Sequence, residues 1–112
     1  MKTIVLLFAA FIMLASSCQP KASAVKTETL KVYGNCEMCK ERIEKAAVSA
    51  GVQKATWDIN SHMLTISLDT TKVKSTNVQK AIAAVGHDTE LAMASDSAYN
   101  ALPSCCKYER KK

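Results

Sequence analysis

The sequence predicts an α+β fold in which two helices cover one face of a four-stranded antiparallel sheet. Three observations carry this prediction. Apolar residues alternate with polar ones in four short runs between residues 26 and 93. In two longer runs they recur instead at i, i+3, i+4 and i+7, the spacing of a helix with one buried stripe. The resulting order is strand, helix, strand, strand, helix, strand, the split βαβ or ferredoxin-like arrangement, whose right-handed crossovers place both helices on the same face.

Each element follows from its residues. Lys26 to Tyr33 alternates, with Leu30 and Val32 on one face and Thr29, Lys31 and Tyr33 on the other, so it reads as a strand. Ile43, Ala46, Ala47 and Ala50 form the stripe of the first helix. Glu41 and Lys45 make an i,i+4 pair on its wet side, and Gly51 stops it. Ala55, Trp57 and Ile59 alternate with Lys54, Thr56 and Asp58. Leu64, Ile66 and Leu68 alternate with Thr65 and Ser67, and Asn60-Ser61 between the two runs marks the turn of a hairpin. Ser75 or Thr76 is expected to cap a second helix, with Val78, Ala81, Ile82 and Val85 as its stripe and Gly86 at its end. Thr89 to Met93 is expected to be the last strand, with Leu91 and Met93 facing the core. Met63 at strand spacing is likewise expected in the core. Beyond it, Asp96 to Leu102 reads as a short helix stopped at Pro103.

The chain has 112 residues and a net charge of +5, and its parts differ in character. Residues 1–17 combine a positive start, the apolar run Ile4 to Ala15 and a small-residue end, the pattern of a secretory signal. That run is short of the roughly 18–20 apolar residues a membrane span needs. Residues 18–25 are a small and polar tether, 26–93 the folded domain, near the lower size limit for a self-sufficient core, and 94–112 a cysteine-containing tail. Leu14-Ala15-Ser16-Ser17-Cys18 resembles a bacterial lipoprotein signal, although Ala15 stands where Leu is more usual. The resemblance implies lipidation at Cys18 and a membrane-anchored protein of the cell envelope, facing the periplasm or the exterior. The cations are spread along the chain and not interleaved with aromatics, which argues against nucleic-acid binding. No paired acid and base, no nucleophile with its base and no nucleotide loop is present, so no enzymatic chemistry is expected.

The chemistry centres on Cys36-Glu37-Met38-Cys39, between the first strand and the first helix. Two thiols three residues apart at a helix N-terminus can aim at one small target, and the helical N–H groups favour the thiolate. Three readings fit such a pair: a soft-metal site, a redox dithiol, or part of a structural disulfide or zinc framework. Zinc in a structural site takes four ligands and the loop offers two, whereas Cu(I) accepts fewer. The redox reading lacks an aromatic before Cys36 and a Pro before a later strand.

The strand followed by Gly34-Asn35-Cys36-Glu37-Met38-Cys39 and a helix, Gly51-Val52 entering a strand, and Val85-Gly86-His87-Asp88 before the last strand together resemble the heavy-metal-associated domain. That family includes copper chaperones, modules of copper-exporting ATPases and periplasmic mercury-binding proteins. The resemblance implies that Cys36 and Cys39 bind one soft ion, usually Cu(I), with Hg(II), Zn(II) or Cd(II) as alternatives. It also implies transfer to a metal-transport or efflux partner, with a metal-bridged dimer as a further option. Gly34 stands where the family commonly has a core-anchoring Met, which leaves a mobile loop or passes the packing to Met38. His87, at the sheet end that carries Cys36, is a candidate third ligand or hydrogen-bond donor to a thiolate; the alternative is a plain loop histidine. His62 is expected at the opposite end, as a turn residue.

Cys105 and Cys106 lie in the tail. The last strand is expected to end far from the Cys loop, so the tail must run back across the fold to reach it. If it does, one or both thiols join Cys36 and Cys39 in a three- or four-thiolate site suited to a sensor or store. The alternatives are disulfides in an oxidising compartment or an independent second site. The sequence therefore points to an extracytoplasmic soft-metal-binding module for transfer or sequestration. A thiol–disulfide oxidoreductase using Cys36 and Cys39 and a disulfide-stapled interaction domain are the competing readings.

Overall fold

The structure, a computed structural model, describes residues 24–110. The expected signal segment, the Cys18 lipidation site and most of the tether lie outside the described residues, as do the last two lysines. Among the described residues, no helix is long and apolar enough to cross a membrane.

The elements in chain order are β1 (Val25–Lys31), α1 (Glu37–Ser49), β2 (Lys54–Trp57), β3 (Met63–Asp69), α2 (Ser75–Ala84) and α3 (Asp96–Asn100), followed by a 3₁₀ turn at Ser104–Cys106. The sheet is antiparallel in the order β1-β3-β2, and both Leu30 and Trp57 pair with Leu64. Period-two alternation turns Leu30, Trp57, Leu64, Ile66 and Leu68 inward, where they meet Ile43 and Ala47 of α1 and Val78 and Ile82 of α2. Burying each large aliphatic contributes about 1.5–3 kcal/mol, and this shared core holds the two layers together. Gly51 ends α1 with φ +108°, a left-handed conformation that glycine adopts without a side-chain penalty.

Several expectations are corrected. Among the described residues the sheet has three strands, and the expected fourth strand, Thr89 to Met93, is reduced to one bridge between Thr89 and Val32. The chain turns instead of extending. Thr89 N–H donates to Ala92 O, while Gln79 Oε1 accepts from both Thr89 Oγ1 and the Leu91 N–H. Leu91 and Met93 consequently face solvent rather than the core. Gln79, not Val85, takes the buried position on α2, because its amide serves this turn. Ser75 is the first residue of α2, and Lys74 precedes it without a side-chain cap. The i,i+4 ion pair on α1 is Lys40–Glu44, since Lys40 also donates to Trp57 O.

The aborted strand changes the route of the tail. It does not cross the fold; it turns back beside the loop that follows α2, with Ala94 N–H donating to Asp88 Oδ1. Leu102 then packs against Gly86, which has φ +105° and where a Cβ would lie 2.9 Å from the Leu102 side chain. Tyr108, also buried, donates to Gly86 O and accepts from Asp88 N–H. Arg110 clasps the fully buried Asp88 carboxylate through Nε and Nη2, at 3.0 and 2.9 Å. The last described residues of the chain are thus tied to the end of the fold where β1 leads into α1.

Candidate metal centre

Cys36 is the N-cap of α1, in extended conformation, and Cys39 lies one turn inside the helix. Helical geometry turns both thiols to the same side, Cys36 half-buried and Cys39 fully buried. The loop that carries them is fixed from below. Gly34 has no side chain, so the Trp57 ring and Cys39 Cβ come within 3.1–3.2 Å of where a Cβ would sit. The Trp57 indole N–H donates to Val32 O and locks the ring there. Trp57 therefore fills the anchoring place, and Met38, expected as one substitute, stands about half exposed.

The tail brings in a third thiol. Cys106, fully buried at the end of the 3₁₀ turn, has its Sγ 3.2 Å from Cys36 Sγ, and Cys36 Sγ is 3.2 Å from Cys39 Sγ. All three sulfurs lie within 4.8 Å of one another. With a zinc–thiolate length of about 2.3 Å as a guide, a trigonal ion needs sulfurs about 4.0 Å apart. The two contacts at 3.2 Å would widen by less than an ångström, within reach of small side-chain rotations.

The electrostatics prepare one thiolate. Burial alone would raise Cys36, yet hydrogen bonds from the Cys39 side chain and N–H and from the Cys106 and Cys105 thiols pull it down to about 7. Cys39 is pushed up to about 12, chiefly by burial, with the Cys106 and Cys36 thiols acting in the same direction. Cys36 is thus the readier of the two loop thiols to ionise, and the Cys39 and Cys106 sulfurs lie within hydrogen-bond reach of it. Arg42 Nη1 donates to Cys106 Sγ at 3.3 Å and sets a positive charge against a cluster that gains negative charge as thiols ionise. Cys39 Sγ also points at Asn35 Oδ1, at 3.5 Å.

The remaining candidates sit apart from this trio. Cys105 is exposed at the rim, 3.8 Å from Cys106 Sγ and 3.4 Å from Met38 Sδ. His87 is fully buried at the same end of the sheet, but it is not a member of the cluster. Its Nδ1 donates to Tyr33 O at 2.8 Å and its ring stacks on Tyr108, while burial lowers its pKa. It fixes the backbone before the Cys loop and ties it to the tail. His62 lies at the same end as the Cys loop, not the opposite one: its carbonyl accepts from Val32 N–H and its ring stacks on Trp57 at 5.7 Å. Arg42, Trp57, Asp88, Tyr108 and Arg110 were not among the expected site-supporting residues. For Arg42, its place three residues after Cys39 was the available signal. For the Asp88–Arg110 clasp, 22 residues apart, no local pattern exists.

Three clustered thiols on a βαββα frame define a soft-metal-binding type of site. No protein-family model matches the sequence, and no curated protein matches it. Solved structures do. The chain is similar to the CopZ metallochaperone at 27% identity, with 57% of this chain and 98% of that chain covered and a TM-score of 0.55. It is similar to oxidized MerP from Ralstonia metallidurans CH34 at 26% identity, covering 60% and 96%, with a TM-score of 0.57. The ZiaAN sub mutant in solution is 31% identical, covering 58% and 94%, with a TM-score of 0.50. The first of these is a metallochaperone by name, and the likeness supports placing the chain in the heavy-metal-associated family and its α+β fold in the ferredoxin-like class.

Proposed function

We propose that this chain binds a soft metal ion, Cu(I), as its cargo through Cys36, Cys39 and Cys106, and holds it for sequestration or for delivery to an efflux partner. The observation that carries the proposal is the third thiol. In a two-cysteine loop the open coordination place receives a partner's thiolate; here Cys106 of the same chain stands in it. The ion is then held by three sulfurs, two of them on buried residues, which favours retention over rapid exchange and makes a metal-bridged dimer unnecessary. Hg(II), Cd(II) and Zn(II) compete for the same sulfurs, and Cu(I) is preferred because three thiolates without a fourth ligand suit it better than tetrahedral zinc. No catalytic step is proposed. The protein would work at the cell envelope, anchored through a lipid on Cys18. Fatty-acid labelling that disappears in Cys18→Ser is the result expected for the anchor, and labelling that persists there would remove it.

The test of the metal reading is an anaerobic titration of reduced protein with Cu(I), Zn(II), Cd(II) and Hg(II), each against a competing chelator. Tight Cu(I) binding that is lost in Cys36→Ser is the expected result. A chain in which no metal outcompetes the chelator, while Cys36 and Cys39 cycle between thiol and disulfide, would be an oxidoreductase instead.

A further inference from the structure

Met38 and Cys105 take no part in the three-thiolate site, yet their sulfurs meet at its mouth. Cys105 Sγ donates to Met38 Sδ at 3.4 Å and lies 3.8 Å from Cys106 Sγ. Cys106 Sγ in turn lies 3.2 Å from Cys36 Sγ. Five sulfurs therefore form one continuous chain in the order Cys39, Cys36, Cys106, Cys105, Met38, with Cys106 at its middle. The inner end is buried, whereas Cys105 is exposed and Met38 is 49% exposed. A shallow depression of about 310 Å³ lined by Met38, Glu41, Arg42 and Lys45 opens beside it.

We propose that Cys105 and Met38, with Cys106 as a shared bridging thiolate, form a second soft-ion site on the outer side of the first. This inference rests on the metal-binding reading above. A thiolate has lone pairs enough to bridge two soft ions, and a thioether is a ligand that selects Cu(I) over zinc. On binding, the second ion displaces the Cys105 proton to solvent. Being open to water and completed by a neutral thioether, the outer site holds its ion more weakly than the inner one. It is the place where an arriving or departing Cu(I) is met before it reaches the buried thiols.

The test is native mass spectrometry of the reduced full-length chain in detergent, titrated anaerobically with Cu(I) supplied as its acetonitrile complex, with chelator competition alongside. Two ions are expected per monomer, the second released at lower chelator concentration. Cys105→Ser and Met38→Leu should each abolish the second equivalent and keep the first. Met38→Leu preserves apolar bulk at a half-exposed position, so a merely structural contact would leave the count at two. The proposal is overturned by one ion in the wild type, by two ions persisting in the Cys105→Ser/Met38→Leu double variant, or by a second ion found only in a dimer. A single ion lost in Cys36→Ser overturns the outer site and leaves the functional reading intact, whereas no ion at all overturns both.

Discussion

Arg110 is the residue by which the tail is most directly fastened, and Arg110→Ala measures what that fastening is worth. Its guanidinium makes two hydrogen bonds to the fully buried Asp88 carboxylate, one to Ala94 O and one to Asp96, which is 94% exposed. The Asp96 contact contributes little, as surface pairs do. The Asp88 pair is different, because truncating one partner of a buried, hydrogen-bonded charge pair costs about 3–5 kcal/mol. Arg110 keeps 21% of its side chain exposed and Asp88 retains the Ala94 N–H, so the loss is set nearer the value of a single charged hydrogen bond, about 2 kcal/mol. With a urea slope of roughly 1 kcal/mol per molar, the unfolding midpoint falls by about 2 M. Cu(I) affinity falls as well, by at most about 30-fold, because Cys106 is a ligand only while the tail is docked. Arg110→Lys should recover little, since an ammonium cannot make two parallel bonds to one carboxylate. Denaturation curves and alkylation of Cys106 in the metal-free protein read the effect. An Arg110→Ala protein with unchanged midpoint and unchanged Cys106 protection would refute the claim that this clasp holds the tail.

Other outcomes follow from the same geometry. Thiolate absorbance of the reduced, metal-free protein should show one group ionising near pH 7, absent in Cys36→Ser, with Cys39 protonated until about pH 12. Cys36 is lowered from an ordinary value of 9.0, so the stability it contributes is fully present above pH 9 and is lost as pH falls through about 7. Cys39 is raised from the same value, so its contribution is present below pH 9 and is lost as pH rises toward about 12. Gly34→Ala drives a Cβ against Trp57 and Cys39 and should cost about 1–3 kcal/mol in chemical denaturation, together with a weaker metal site. Unchanged stability there would mean that Trp57 does not fix the loop. Trp57→Phe removes the bond to Val32 O and should cost about 1 kcal/mol beyond any packing change.

The elements whose residues repeat a strong local pattern were legible. Leu64, Ile66 and Leu68 alternate over a whole strand, and Ile43, Ala46 and Ala47 recur over a whole helix; both patterns appear as buried faces. Gly51 and Gly86 end their helices with positive φ. The expected last strand is reduced to one bridge because its alternation rests on two residues only, Leu91 and Met93. Against it stands Gln79, a polar side chain on a buried helix face that holds the Thr89 to Ala92 turn from ten and twelve residues away. That one turn also reversed the expected route of the tail. The Cys36 and Cys39 pair is visible as a motif, since both thiols come from one loop and one helical turn. That Cys106 and not Cys105 is the thiol within the cluster depends on a 3₁₀ turn and on the docking of Tyr108 and Arg110, none of which leaves a periodic mark.

The central claim is that Cys106 completes the coordination begun by Cys36 and Cys39. The most direct measurement is X-ray absorption at the copper edge of the protein loaded with one equivalent of Cu(I). The account predicts three sulfur ligands in the wild type and in Cys105→Ser, and fewer in Cys106→Ser. Two sulfurs in the wild type, or a ligand set unchanged by Cys106→Ser, would contradict it.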